Sequence, residues 1–455
     1  VNSLADRKSL RSQTEDRFQP NRDCELRTVL MQTATENTAP ITKTDLTQPA
    51  EVVAYLQSPQ AIRKRCRMLY ALAEADQLRH LRLHPEALPT AADYVRRLMD
   101  RAYPQGDVPF HSRWRHFEVD GISRLATLEP GLSQLDPLEQ ARLKVDLAVT
   151  SVLLDAGAGS TWRYGEPGTG QVFQRSEGLA IASFHSFGQG LFSSQPDYPW
   201  QADALGLSQL TPERLGDAFQ VSPENPLLGL GGRVSLLQTL GHALQQQPHL
   251  FGESHPRPGN LVDYWLSQSQ DQTLSAVTVL NTVLQGLGSI WPGRMTLDGV
   301  NLGDVWPHPQ LPDTGLGSQL VPFHKLSQWL TYSLLEPMQD LGLTITDLDQ
   351  LTGLAEYRNG GLFVDSGVLS LKDPTDLEIA HPPNSPLIVE WRALTLCLLD
   401  DLADLLRQQL HQSTAELPLV KILQGGTWAA GRALAAEKRP HGGPPITLAS
   451  DGTVF

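Results

Sequence analysis

From Pro49 onward the chain repeats apolar residues at three- and four-residue spacing. The segment PAEVVAYLQSPQAIRKRCRMLYALAEADQL predicts two helices, with Ser58 and Pro59 as N-cap and first position of the second. The same spacing predicts a helix over about 88–101, capped by Thr90, and a stronger one over 136–157. In the latter Pro137 lies in the first turn, Glu139 near it and Gly157 past the end. Further helices are read at 234–247, 273–288, 322–340, 387–411 and 425–437. Extended signals are short: VFQ at 172–174, GLFVDSGVLSL at 361–371 and TLAS at 447–450. No repeat of fixed period occurs. Long helices with scattered strands predict a mainly α fold with a few short β elements. Residues 1–48, rich in Thr, Gln, Asn and charge, read as a partly ordered N-terminal arm. Residues 49–455 then form a single large, mainly helical catalytic domain, with room for two lobes at about 49–225 and 226–455.

Charge narrows the partners. The 455 residues carry a formal charge of −14, and no basic run is long enough to track a phosphate backbone, so nucleic acid is not expected. The short clusters RKRCR at 63–67 and RHLRL at 79–83 read as solvated helix faces. Cys24, Cys66 and Cys397 make an odd count without CxxC spacing, which argues against a disulfide framework or zinc ribbon. Cys397, within LTLCLLD, reads as a buried thiol. No stretch approaches the ~18 apolar residues of a membrane span, and the first residues lack an apolar leader core. The expectation is a cytoplasmic protein with no membrane partner, acting on a small molecule; a homo-oligomer stays open.

Ionisable and polar groups crowd into apolar segments of the last third. Such groups must be paired, shifted in pKa or used. In VPFHKLSQWLTYSLLEP, Pro322 is read as opening a helix. His324, Gln328 and Thr331 then share one face; Lys325, Trp329, Tyr332 and Glu336 share the next. This is either a satisfied core or a ligand-lining stripe. Asn359-Gly360-Gly361 reads as a tight turn between Arg358 and an extended LFVD, in which Asp365 is a turn residue or a carboxylate aimed into a pocket. Glu390 lies on an apolar helix face and suits a desolvated general acid; with Arg392 it also suits a buried structural network. The glycine-rich segment 157–180 lacks GK[ST] and is no phosphate loop. It nevertheless places Trp162, Arg163, Arg175 and Glu177 close together, for gripping an anion or for pinning the loop. Arg233, after two glycines, allows the same two readings, of which a structural turn is favoured. His324, Glu356, Asp365 and Glu390 are the residue types of a metal site, but no HExxH or HxH spacing supports one, and no metal or other cofactor is assigned.

The motifs GAGSTWRY, RSEGLA, NPLLGLGGR, IWPGR, LGDVW, VPFHKLSQWLTYSL, LTGLAEYRNGGLFVDSGVL, VEWRALT, GGTWAAGR and the terminal SDGTVF resemble the uracil-catabolism protein 4 family from about residue 50 to the C-terminus. That resemblance implies a role in degrading uracil at the nucleoside or nucleotide level, on a route through ribosylurea. A weaker similarity, carried by Phe363-Val364-Asp365, is to queuosine-nucleoside glycosylases, whose helical folds resemble those of DNA glycosylases.

Together these readings lead to an N-glycoside hydrolase cleaving the C–N bond of a ring-opened uracil nucleoside or nucleotide such as ribosylurea. Asp365 is expected to activate water or stabilise a ribosyl cation, and Glu390 to protonate the leaving nitrogen. Trp162, Trp329 and Tyr332 would wall the pocket, His324 and Gln328 would bind the ureido atoms, and Arg163 or Arg358 would hold a phosphate. Glu356 and Arg392 complete the expected substrate-binding set. Asp365 and Glu390 should then face one cavity. The alternatives are a metal-assisted amidohydrolase on a ureido intermediate and a non-catalytic ligand-binding or scaffold protein.

Overall fold

Local chemistry starts the fold where the pattern predicts. In the computed structural model, which describes residues 48–155, 157–159, 161–291, 295–439 and 441–449, helices α1 (Pro49–Leu56) and α2 (Pro59–Glu74) meet at Ser58. The Ser58 hydroxyl accepts the Ala61 N–H at 3.2 Å, satisfying one of the open donors of the first turn. The expected arm (except Gln48), Cys24, the terminal SDGTVF and parts of IWPGR and GAGSTWRY lie outside the described residues.

A short strand, β1 (Leu81–Leu83), leads to α3 (Leu88–Ala102) and the short α4 (Arg113–Phe117). Asp136 caps α5 (Pro137–Leu153), its carboxylate accepting the Glu139 N–H at 3.0 Å. Then come α6 (Arg175–Gly188), α7 (Leu230–Gln246) and α8 (Ala276–Leu287). Antiparallel β2 (Val305–Pro307) and β3 (Leu320–Pro322) feed α9 (Lys325–Asp340). Helix α10 (Tyr357–Asp365) precedes β4 (Leu369–Leu371), which pairs antiparallel with β1. Helices α11 (Pro386–Leu410) and α12 (Trp428–Lys438) complete the set used below.

The fold is mainly α. Among the described residues the strands form only two-stranded pairs. Helix α11 packs against α2, α3 and α10, while α9 packs against α5 and α8. Each fully buried aliphatic side chain along these helices, Leu394 and Leu398 for example, contributes roughly 1.5–3 kcal/mol.

Four local expectations are corrected. Thr90 does not cap α3 but lies in its first turn, because a 3₁₀ turn at Pro85–Ala87 runs into the helix and Pro89 is tolerated there. Pro322 ends β3, and the chain enters α9 through His324 in a left-handed conformation, φ 47°. Residues 359–361 are helix, not a hairpin turn. Glycine is a poor helix former, but here its bareness is used for packing: a Cβ on Gly360 would lie 2.8 Å from the Trp391 ring nitrogen. Finally, the segment read as one glycine-rich loop contains a short antiparallel pair, Tyr164–Gly165 with Val172–Phe173, and the start of α6.

Helices α10 and α12 pack together at Gly431, where any Cβ would overlap the carbonyl oxygen of Arg358. Gly431→Ala must therefore spread the two helices. We expect a loss of about 1–3 kcal/mol, read by chemical denaturation; an unchanged midpoint would mean this approach is not required.

Candidate active site

Glu356 turns the expected loop into a helix. Its backbone is extended, and its carboxylate accepts the N–H groups of Arg358 and Asn359, both at 2.6 Å, as the N-cap of α10. Burial raises its pKa, opposed chiefly by the charge of Lys325 and then by the two amides.

Lys325 opens α9. Its backbone N–H is held by Asp304 at 3.0 Å, and Asp304 in turn grips the Arg392 guanidinium with both oxygens at 2.7 Å. Burial lowers the Lys325 pKa, with Glu356 and then Asp155 favouring its charge. The side chain still keeps partial solvent contact. This ammonium is desolvated by burial and yet not sealed from solvent; the side chains gathered around it are termed the recess below. No hydrogen bond or ion pair holds it among the described residues.

Asp155, just beyond α5, accepts the Ser176 hydroxyl at 2.7 Å and pairs with Arg113 at 3.1 Å. Arg113 comes from α4. Its guanidinium donates to Ser151 at 2.7 Å and lies 5.6 Å from the Trp329 ring, and its Nη2 has no hydrogen-bond partner among the described residues. One turn beyond Lys325, Gln328 is fully buried with neither its amide oxygen nor its nitrogen partnered; Trp329 Nε1, Asn359 Oδ1 and His116 Nδ1 are also unpartnered. Buried polar atoms almost always find partners, so such a concentration needs a physical reason. A polar ligand supplies one.

Two imidazoles complete an aromatic wall. His116 lies 5.7 Å from Trp329 and 5.8 Å from Trp428, and His111 lies 6.0 Å from Trp428. Burial pushes the His111 pKa down to about 4 and that of His116 well below its ordinary value. Both are neutral near pH 7. An unfolded chain takes up these protons near pH 6.5, whereas the folded protein resists doing so. Their contribution to stability is therefore present above about pH 6.5 and lost as pH falls towards 4. The denaturation midpoint is expected to drop across that window, and less so in His116→Phe; equal slopes would contradict the assignment.

The family described as "Protein of unknown function (DUF1688)" matches residues 55–455. The chain belongs to this family. It is also 40% identical over 419 residues to "Protein urg3" of Schizosaccharomyces pombe, covering 89% of this chain and 99% of that protein. Over 438 residues it is 40% identical to "Uracil catabolism protein 4" of Lachancea kluyveri, with the same coverage. The resemblance read from the motifs is thus upheld.

Within this family member, the structure brings together some of the residues singled out in the sequence. Trp329, whose ring lies 5.9 Å from the Lys325 ammonium, and Glu356 lie at the recess; Gln328 is buried one turn along α9 from Lys325, and Arg358 borders the recess beside Tyr357. Asp365 and Glu390 are not joined by any common partner. Asp365 is gripped by Arg439 at 2.8 and 2.5 Å. Glu390 accepts the backbone N–H groups of His80 and Leu81, both at 3.1 Å, and its other oxygen faces His308 at 3.6 Å. Trp162 is not a pocket wall. It is fully buried, donates to the Phe219 carbonyl at 3.0 Å and packs on bare Gly178. Arg163 is exposed and folds onto the Thr161 and Trp162 carbonyls at 3.1 Å. His324 is tied to the Leu56 carbonyl at 2.9 Å, Tyr332 to the Thr352 carbonyl at 2.8 Å, and Arg392 to Asp304. These three support the site rather than line it. Arg233 is likewise structural, bridging the Leu154 and Gly157 carbonyls.

The sequence reading missed Asp155, Arg113 and His116 as site residues. The crowded PFHSRWRHF stretch was the available signal for the last two. Among the described residues no group of three or more His, Cys, Asp or Glu side chains is placed to share a metal ion. No helix among them is long and apolar enough to cross a membrane.

Proposed function

We propose that the protein serves uracil catabolism as an N-glycoside hydrolase, acting on a ring-opened uracil nucleoside or nucleotide such as ribosylurea, in the Glu356–Lys325 recess. The observation that carries this reading is Gln328, fully buried with both amide atoms unpartnered, one turn from Lys325. A primary amide offers one acceptor and one donor edge, the complement of a ureido group. The name of the Lachancea relative, a uracil catabolism protein, supports the pathway.

The residues divide the work as follows. Water attacks the anomeric carbon as the C–N bond breaks, and the bonding pair leaves with the urea nitrogen. Glu356, its pKa raised, takes a proton from that water; the Lys325 ammonium, its pKa lowered, protonates the leaving nitrogen. Asp155 adds negative charge near a developing oxocarbenium ion. Trp329 supplies a flat apolar face. The products are a ribose and urea, and the scheme needs no cofactor.

The test is product analysis with purified protein and ribosylurea. Urea and ribose released in equal amounts support the proposal. Ammonia without free ribose would indicate an amidohydrolase, and bound but unchanged substrate a binding protein; either result rejects it.

A further inference from the structure

Several guanidiniums gather beside the recess. Around it, Arg113 is ion-paired with Asp155, and Arg432 with Glu177. Two further guanidiniums, those of Arg175 and Arg358, take part in no ion pair among the described residues. They come from segments far apart in sequence and meet on one strap. Arg175 donates to the His441 carbonyl at 2.8 Å, and Arg358 to the adjacent Gly442 carbonyl at 2.7 Å. A neutral carbonyl uses one of the five donors on each guanidinium and cancels no charge. Arg358 is only 6% exposed, and its guanidinium lies 5.0 Å from the ring of Tyr357, the neighbour of Glu356. The fields of both arginines and of Glu356 and Asp155 all reach the Tyr357 hydroxyl, which places this charge beside the reacting groups.

Two features say the charge is maintained. The chain is acidic overall, at −14, so two neighbouring guanidiniums without an ion-pair partner among the described residues run against its composition and would draw in a small anion. Arg175 also adopts a left-handed backbone, φ 56°, which a residue with a β-carbon takes at a cost of about 1 kcal/mol. Glycine would relieve that strain but would remove the guanidinium.

We propose that Arg175 and Arg358 form a phosphate subsite, so that the substrate of this recess is a phosphate monoester rather than a free nucleoside. This deepens the hydrolase reading and rests on the same recess. Paired guanidiniums on adjacent carbonyls can offer parallel N–H donors to the oxygens of one phosphate. The phosphate would be held between them, with the sugar and its ureido group directed inward to Glu356, Lys325 and Gln328. The class of reaction that supplies such a substrate is one that keeps the 5′-phosphate while the pyrimidine ring opens.

Calorimetric titration with ribose 5-phosphate and with ribose tests the subsite without turnover. The intact protein is expected to bind ribose 5-phosphate at least about tenfold more tightly than ribose, with the preference weakening as salt rises. Arg175→Gln, at an exposed position, should remove most of that preference, and Arg358→Gln the same if it folds. Equal binding of the two sugars, no binding of ribose 5-phosphate at millimolar concentration, or a preference that survives Arg175→Gln overturns the proposal. Because no bond is broken, a subsite can be found even if urea release fails. Conversely, hydrolysis of ribosylurea with no preference for the phosphorylated sugar would retain the hydrolase and remove the subsite.

Discussion

Glu356→Gln is expected to lower turnover of ribosylurea about 10²–10⁴-fold, the range for losing a positioned acid–base group, with little change in substrate affinity. Glutamine is nearly isosteric, and its amide oxygen can still accept one of the two N–H groups that cap α10. The loss of stability should stay near 1 kcal/mol, so lost activity could not be blamed on unfolding. The pH profile supplies a second reading. Activity requires Glu356 ionised and Lys325 protonated. Burial raises the first pKa and lowers the second, so both limbs of a bell-shaped profile should move inward from the ordinary carboxylate and lysine ranges. Asp365→Asn is the control: it loosens Arg439 and reduces stability, while kcat should stay within a few-fold. If Asp365→Asn abolishes turnover and Glu356→Gln does not, the chemistry lies elsewhere.

Asp304→Ala is expected to cost about 2–4 kcal/mol, because it leaves the buried Arg392 guanidinium without its largely buried, hydrogen-bonded carboxylate partner. Asp304 holds the Arg392 guanidinium with both oxygens. It also accepts the Trp306 ring N–H at 2.7 Å and the Lys325 backbone N–H at 3.0 Å. One carboxylate therefore ties α11, the β2–β3 hairpin and the start of α9 together. Although burial alone would raise its pKa, Arg392 and these donors hold it well below the ordinary range. A carboxylate with a depressed folded pKa stabilises the protein above its unfolded pKa of about 3.9. That contribution is lost as pH falls through the folded value. The stability gap between wild type and Asp304→Ala should accordingly be full at neutral pH and close below about pH 4. A gap under about 1 kcal/mol at pH 7 would mean Arg392 is satisfied without Asp304.

What could be read from the sequence was what neighbouring residues decide. Ser58-Pro59 and Asp136-Pro137 announce helix starts because the capping oxygen and the N–H it accepts lie three residues apart. The same local logic misled at 359–361. Asn-Gly-Gly ordinarily turns, but Glu356 caps the segment from one side, and Trp391 and α12 need bare backbone from the other. Trp391 and α12 are far from this segment in sequence. The polar stripe on α9 was visible from spacing, and it contains the buried, unpartnered Gln328 and the Trp329 ring beside Lys325. Its opposite wall was not legible, because Asp155, Arg113 and His116 lie more than 150 residues upstream and are brought in by packing of α4, α5 and α9. Asp365 and Glu390 attracted attention for a sound reason, since each is an acid in an apolar run. Burial, however, calls equally for a structural partner, and each acid has one.

The most direct measurement is a crystal structure of the Glu356→Gln protein with ribosylurea 5-phosphate bound. The ureido group is expected against the Gln328 amide, with a water site between the residue-356 side chain and the anomeric carbon, about 3–3.5 Å from the carbon. The phosphate should lie between Arg175 and Arg358. A ligand seated instead at Asp365 or Glu390, or one that leaves Gln328 unpartnered, would contradict it.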